Sequence, residues 1–154
     1  MEDEAWGDEA HLERLCAAAA AASAASPEVA RRLPAPAVAC VAFSNDAAVR
    51  DLNARYRGKD KPTNVLSFAA APMPDGMADE AHLGDIVLAF ETVAGEAATL
   101  GLALDHHIQH LVVHGVLHLL GYDHESDADA EAMEDLETAI LATLGVADPY
   151  QSND

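Results

Sequence analysis

Apolar positions along this chain alternate between helical and extended spacing. Residues 9–25, a Glu-Ala-His-Leu-Glu-Arg-Leu-Cys stretch followed by a run of alanines, predict a helix on propensity alone. Ser26-Pro27 ends it, and Pro34-Ala-Pro36 breaks the chain again. Val38 to Phe43 is a short apolar strand closed by Ser44-Asn45-Asp46. Those three residues are natural N-caps for a helix over 46–56, where Val49, Leu52 and Tyr56 recur at helical spacing. Residues 57–64, with a Gly and a Pro, read as a loop, and Val65 to Phe68 as a second strand. Pro72 to Gly76 makes a turn, and Leu83 to Phe90 is a third strand. A helix over 91–100 is stopped by Gly101, and a longer one, capped by Asp105, runs through Leu120 to Gly121. The last helix, 127–144, sets Met133, Leu136, Ile140 and Leu144 on one face. Strands alternating with helices, then helices alone, predict one layered α/β (α+β) domain over 1–154. The expected architecture is a small mixed sheet of about four strands packed with about five helices.

Composition narrows the classes. Hydrophobic residues make up 51% of the 154, yet no apolar run has the length of a membrane-spanning helix. The N-terminal Met1-Glu-Asp-Glu-Ala-Trp6 is acidic where a secretory signal would be basic, so a cytoplasmic protein without membrane association is expected. Cys16 and Cys40 form no CxxC pattern and read as small core residues in a reducing compartment.

Charge adds a second clue. The formal net charge is −19, which opposes unaided nucleic-acid binding. Five of the eight basic residues, however, fall between positions 50 and 61: Arg50, Arg55, Arg57, Lys59 and Lys61. No Lys or Arg follows Lys61, whereas seventeen acidic residues do. Arg50 and Arg55 fit a solvated helix face as well as a function; Arg57, Lys59 and Lys61, in the Gly- and Pro-containing loop, point to function.

The chemistry-bearing segment is His114-Gly-Val-Leu-His118-Leu-Leu-Gly121-Tyr-Asp-His124. Residues four apart on a helix share a face, with Cβ atoms about 5–6 Å apart. That spacing lets two imidazoles reach one ion, and Gly121 can turn the chain so that His124 supplies a third ligand. Three His ligands leave the fourth tetrahedral position open, as in a catalytic zinc site. The spacing matches the metzincin protease signature, but the Glu that follows the first His there is Gly115 here, so the peptidase reading loses its general base.

At this point the residues resemble a known family, the YbeY endoribonucleases that mature bacterial rRNA. The resemblance rests on the histidine segment, on Leu52-Asn53 and Tyr56-Arg-Gly-Lys-Asp-Lys-Pro-Thr-Asn-Val-Leu-Ser-Phe68, on Leu83-Gly-Asp-Ile86, and on Met133-Glu-Asp-Leu-Glu137; it covers roughly residues 6–150. It implies a zinc-dependent, single-strand-specific endoribonuclease with one Zn2+ per chain, acting in 3′-end maturation of small-subunit (16S) rRNA and in ribosome quality control. It implies single-stranded rRNA, the small ribosomal subunit and assembly proteins as partners. Carried over by motif, the ligands are His114, His118 and His124, and the family's important arginine falls on Arg57. The family opens with a strand ahead of the position of Trp6, where only five residues stand here, and its Pro after Ser-Phe is Ala69.

Arg57 and His114 are therefore assigned to catalysis. A guanidinium engages two phosphoryl oxygens at once, so Arg57 suits phosphate binding and transition-state stabilisation. Lys59 and Lys61 would add weaker backbone contacts. Metal-activated water, metal polarisation of the phosphate and attack by the RNA 2′-OH all stay open, as does the general base. Competing readings are a metal-dependent hydrolase of another substrate and a zinc-stabilised assembly factor. Among weaker candidates, His110 is a substrate or ligand-supporting contact or an exposed polar residue, and His106 and His107 read as solvated. Asp123 either orients an imidazole or serves the turn. Asp85, a polar residue inside a strand, needs a partner and reads as structural. Trp6 and Tyr122 read as packing residues.

Overall fold

The protein is described here by a computed structural model, over residues 6–32, 37–58, 63–69, 81–122 and 126–146. The order along the chain is α1 (Glu9–Ala25), α2 (Pro27–Arg32), β1 (Ala37–Ser44), α3 (Asp46–Arg57), β2 (Val65–Ala69), β3 (Ala81–Ala89), α4 (Phe90–Leu100), α5 (Leu104–Leu119) and α6 (Asp127–Thr143). The layered α/β domain is as expected, with three strands among the described residues instead of about four, and six helices instead of about five. The additional helix is α2. Pro27 does end α1, but it also starts α2, because proline's fixed φ and missing N–H suit the first helical position.

The strands lie in the order β1-β3-β2, with β1 parallel and β2 antiparallel to the central β3. Between the pairs Val38–His82 and Ala39–Gly84 the register shifts by one, leaving Leu83 opposite no single residue. Gly84 takes φ 144° there, which a side chain would resist. From Ile86 to Ala89 β3 is buried on both faces, and this explains the apolar run there. Ile86 and Leu88 face the main core, with Phe43, Val113 and Leu117. Val87 and Ala89 face a smaller cluster with Val49 of α3 and Leu66 of β2. Burying each such side chain contributes roughly 1.5–3 kcal/mol.

Helix ends follow local chemistry. The Asn45 side chain caps α3 by accepting from Ala48 N, and Ser126 caps α6 by accepting from Asp129 N. The α5 cap is a correction. Ala103 occupies it without a side-chain hydrogen bond, and Asp105 sits in the first turn, paired with His11 of α1 at 2.8 Å. At its far end Gly121, at φ 97°, donates to His118 O while Tyr122 N donates to Leu117 O, so the glycine stop was read correctly. Trp6 packs edge-on against Phe43 and Phe90 and donates Nε1–H to Ser44 O at 2.7 Å.

The cysteines differ from expectation. Cys16 is half-buried, and burial, with Glu13 adding to it, pushes its thiol up to about 11. Cys40 is exposed, not a core residue, because its side chain alternates to the open face of β1. At pH 8, iodoacetamide should therefore modify Cys40 and spare Cys16 until the chain unfolds, as read by intact mass.

α5 is buried nearly all round and lies against β3 at Gly115. A Cβ built on Gly115 would stand 2.9 Å from both Cδ1 and Cγ2 of Ile86. The residue that removes the metzincin-type base is thus a point where helix and sheet pack tightly, without space for a Glu side chain unless Ile86 moves. Gly115→Ala would gain up to about 1 kcal/mol in helix propensity but lose about 1–3 kcal/mol to overpacking. The expected net result in urea denaturation is a destabilised protein. Combined with Ile86→Ala, the loss should fall short of the sum of the two single variants.

Candidate metal centre

α5 carries His107, His110, His114 and His118, spaced by three, four and four residues, so that they form one stripe along the helix. Neighbouring ring centroids lie 6.0, 6.3 and 4.4 Å apart. The last pair is the tightest. Nε2 of His114 and Nε2 of His118 stand 2.9 Å apart, with the rings crossed at 80°. Two ring nitrogens this close are near enough to share one ion, as the sequence expects of this pair. His124 lies outside the described residues, as does Asp123. Among the described residues no set of three His, Cys, Asp or Glu side chains forms a metal-binding group.

Behind this pair stands a residue that sequence reasoning did not assign. Glu137 of α6 is fully buried and places Oε1 on Nδ1 of His114 and Oε2 at 3.3 Å from Nε2 of His110. Its signal was in the pattern. It lies four residues after Met133 and three before Ile140, on the apolar face of the last helix, where a carboxylate is buried only if it is partnered. His110, read as either a supporting contact or exposed, is thus a mostly buried partner of Glu137. The donor set fits a zinc ion: imidazoles converge, a carboxylate backs one of them, and His114 keeps 18% of its side chain exposed.

At the start of the stripe His106 is exposed, as expected, but His107 is not. It is 5% exposed, and its Nε2 lies 2.9 Å from Glu96 Oε1. The same oxygen accepts Asn64 Nδ2–H at 3.0 Å, while Asn64 O accepts from Ala89 N at 3.0 Å. Glu96 of α4 thereby ties the entrance of β2 to α5. That entrance is also the exit of the basic segment, which begins where Gly58, at φ 69°, caps α3. Arg57 is the last residue of α3 and not a loop residue; its side chain, with Lys59 and Lys61, lies outside the described residues. A helix C-terminus favours cations at this position. Arg55 is exposed and paired with Asp51 at 3.1 Å, which suits a solvated helix face.

The other sheet face holds a groove of about 500 Å³ lined by Cys40, Ala42, Leu52, Tyr56, Phe68 and Asp85. It shares the Val87 side of β3, away from α5, and so does not join the histidines. Asp85 is exposed there and needs no buried partner, contrary to its sequence reading. Tyr122 is half-buried against the main core, a packing role as expected.

The family profile for Endoribonuclease YbeY matches residues 2–145. The chain belongs to the YbeY family. It is 47% identical over 157 residues to Endoribonuclease YbeY of Rhizobium johnstonii, covering 100% of this chain and 92% of the relative. It is 51% identical over 152 residues to the Endoribonuclease YbeY of Rhodopseudomonas palustris strain BisB18, covering 97% and 88%. The solution structure of TM1509 from Thermotoga maritima superposes with a TM-score of 0.53 at 22% identity over 95% of both chains, and supports the fold. No helix among the described residues is long and apolar enough to cross a membrane.

The Glu96 bridge yields a direct expectation. Glu96→Ala strips the buried His107 N–H of its acceptor, at a cost of about 1–3 kcal/mol in chemical denaturation. Glu96→Gln keeps an acceptor oxygen and should cost less.

Proposed function

We propose that this chain is a zinc-dependent endoribonuclease that cleaves single-stranded RNA and acts in the cytoplasm. Its role would be in 3′-end maturation of small-subunit rRNA and in ribosome quality control. The observation that carries the reading is the convergence of His114 and His118 Nε2 in a chain of this family. His114, His118 and His124 would hold one zinc ion. When bound, zinc supplies Lewis acidity toward a phosphodiester oxygen or water.

The remaining work falls to the chain's own residues. Arg57 places a cation at the end of α3, where it can bind phosphate and offset the charge that develops on phosphoryl oxygens. Lys59 and Lys61 add contacts to the RNA backbone. Asn64, fixed by Glu96, holds the exit of their segment. Gly115 offers no space for a carboxylate base, which disfavours peptide hydrolysis of the metzincin kind. A net charge of −19 repels RNA beyond this segment, so ribosomal protein partners would bring the enzyme to its substrate.

The test combines metal analysis with cleavage of a single-stranded RNA. Chelation and His114→Ala should both abolish cleavage. Arg57→Ala should keep its zinc and lose on the order of 100-fold or more in kcat. Full cleavage by metal-free protein would defeat the proposal. Unfolding of His124→Ala, in place of a folded inactive protein, would favour a zinc-stabilised assembly factor.

A further inference from the structure

The proton position on His114 follows from the carboxylate behind it. An ionised carboxylate only accepts hydrogen bonds. Glu137 Oε1 meets Nδ1 of His114, so that nitrogen is the one bearing hydrogen, and the lone pair of the neutral ring is on Nε2. That bare Nε2 is the atom that faces His118, 2.9 Å from its Nε2. His114 therefore presents a lone pair on the shared helix face whether or not an ion is present.

We propose that Glu137 is a positioning residue that fixes His114 as the Nδ1–H tautomer and so presets its Nε2 as a ligand. The proposal rests on the metal reading above and deepens it. Its basis is a contact between α5 and α6 that neither helix contains alone. Glu137 is the one buried carboxylate among the described residues, and a buried charge is retained only where its partners are in place. His110, held through Nε2 by the other carboxylate oxygen, keeps Glu137 from rotating away from His114. The same bond turns the His110 Nε2 away from an ion, which separates His110 from the ligand set although it sits on the same stripe.

The measurement is nitrogen-detected NMR of the full-length, metal-free protein at neutral pH, with zinc affinity read by competition against a chromophoric chelator. His114 should show a hydrogen-bearing Nδ1 and a bare Nε2 without metal, and should keep its hydrogen on Nδ1 when zinc is added. Glu137→Ala should release the His114 preference and weaken zinc binding on the order of 10- to 100-fold. Glu137→Gln, whose amide oxygen still accepts from Nδ1–H, should keep the tautomer and most of the affinity, and it preserves the test if the alanine variant does not fold. A hydrogen on Nε2 of metal-free His114, or unchanged zinc affinity in Glu137→Ala, overturns the role of Glu137 even if the wild type binds zinc. A wild type that binds no zinc overturns the metal reading and with it the ligand-presenting role.

Discussion

The contact of α5 with β3 at Gly115 and Ile86 is the constraint from which the rest of the arrangement follows. Without a Cβ at 115 the helix backbone approaches the sheet closely, and Ile108, Leu111, Val112, Val113 and Leu117 are all buried around it. A helix enclosed this far has one direction left for polar side chains. Its histidines line that direction, and α6 and α4 close over it with Glu137 and Glu96. The same packing that fixes the core thus decides which way the imidazoles point.

Burial also explains the pairing of each carboxylate with histidine. Removing an ion from water costs several kcal/mol unless hydrogen bonds replace the lost solvation. Glu137 recovers that cost through two imidazoles, and Glu96, partly exposed, through His107 and the Asn64 amide. Lysine and arginine are absent from the chain after position 61, so histidine is the basic side chain that α5 itself offers to these acids. The cations that remain are concentrated near the end of α3.

Much of this was legible along the chain. Propensity revealed α1, helical spacing and stop signals revealed α3, α4, α5 and α6, and short apolar runs revealed β1, β2 and β3. The His114 and His118 pair, the glycine that ends α5, and the packing role of Trp6 depend on neighbours within a few residues, and local pattern is enough for them. Other features were misread because propensity is silent on burial. Pro27 was taken as a stop when it is also a start. Asp105 looked like a cap, but its partner His11 lies on another helix. Cys40 looked like core because it sits among apolar neighbours, yet alternation along β1 turns it outward. His107 looked solvated near a helix start, though it is buried and paired with Glu96.

The sequence by itself determined the periodicities, the cluster of cations and the spacing of the histidines, because each is a relation among residues close in the chain. Tertiary structure decided which face each element buries, that Gly115 is a contact point as well as a missing base, and that Glu137 reaches His114 from twenty-three residues away. Those are relations across packed elements. Hydrophobic burial sets them by bringing α5, α6 and β3 together, and hydrogen bonding then selects which polar groups can remain inside. The histidine pair, read at first as one helix face, is in the fold backed through His114 by a buried carboxylate from another helix.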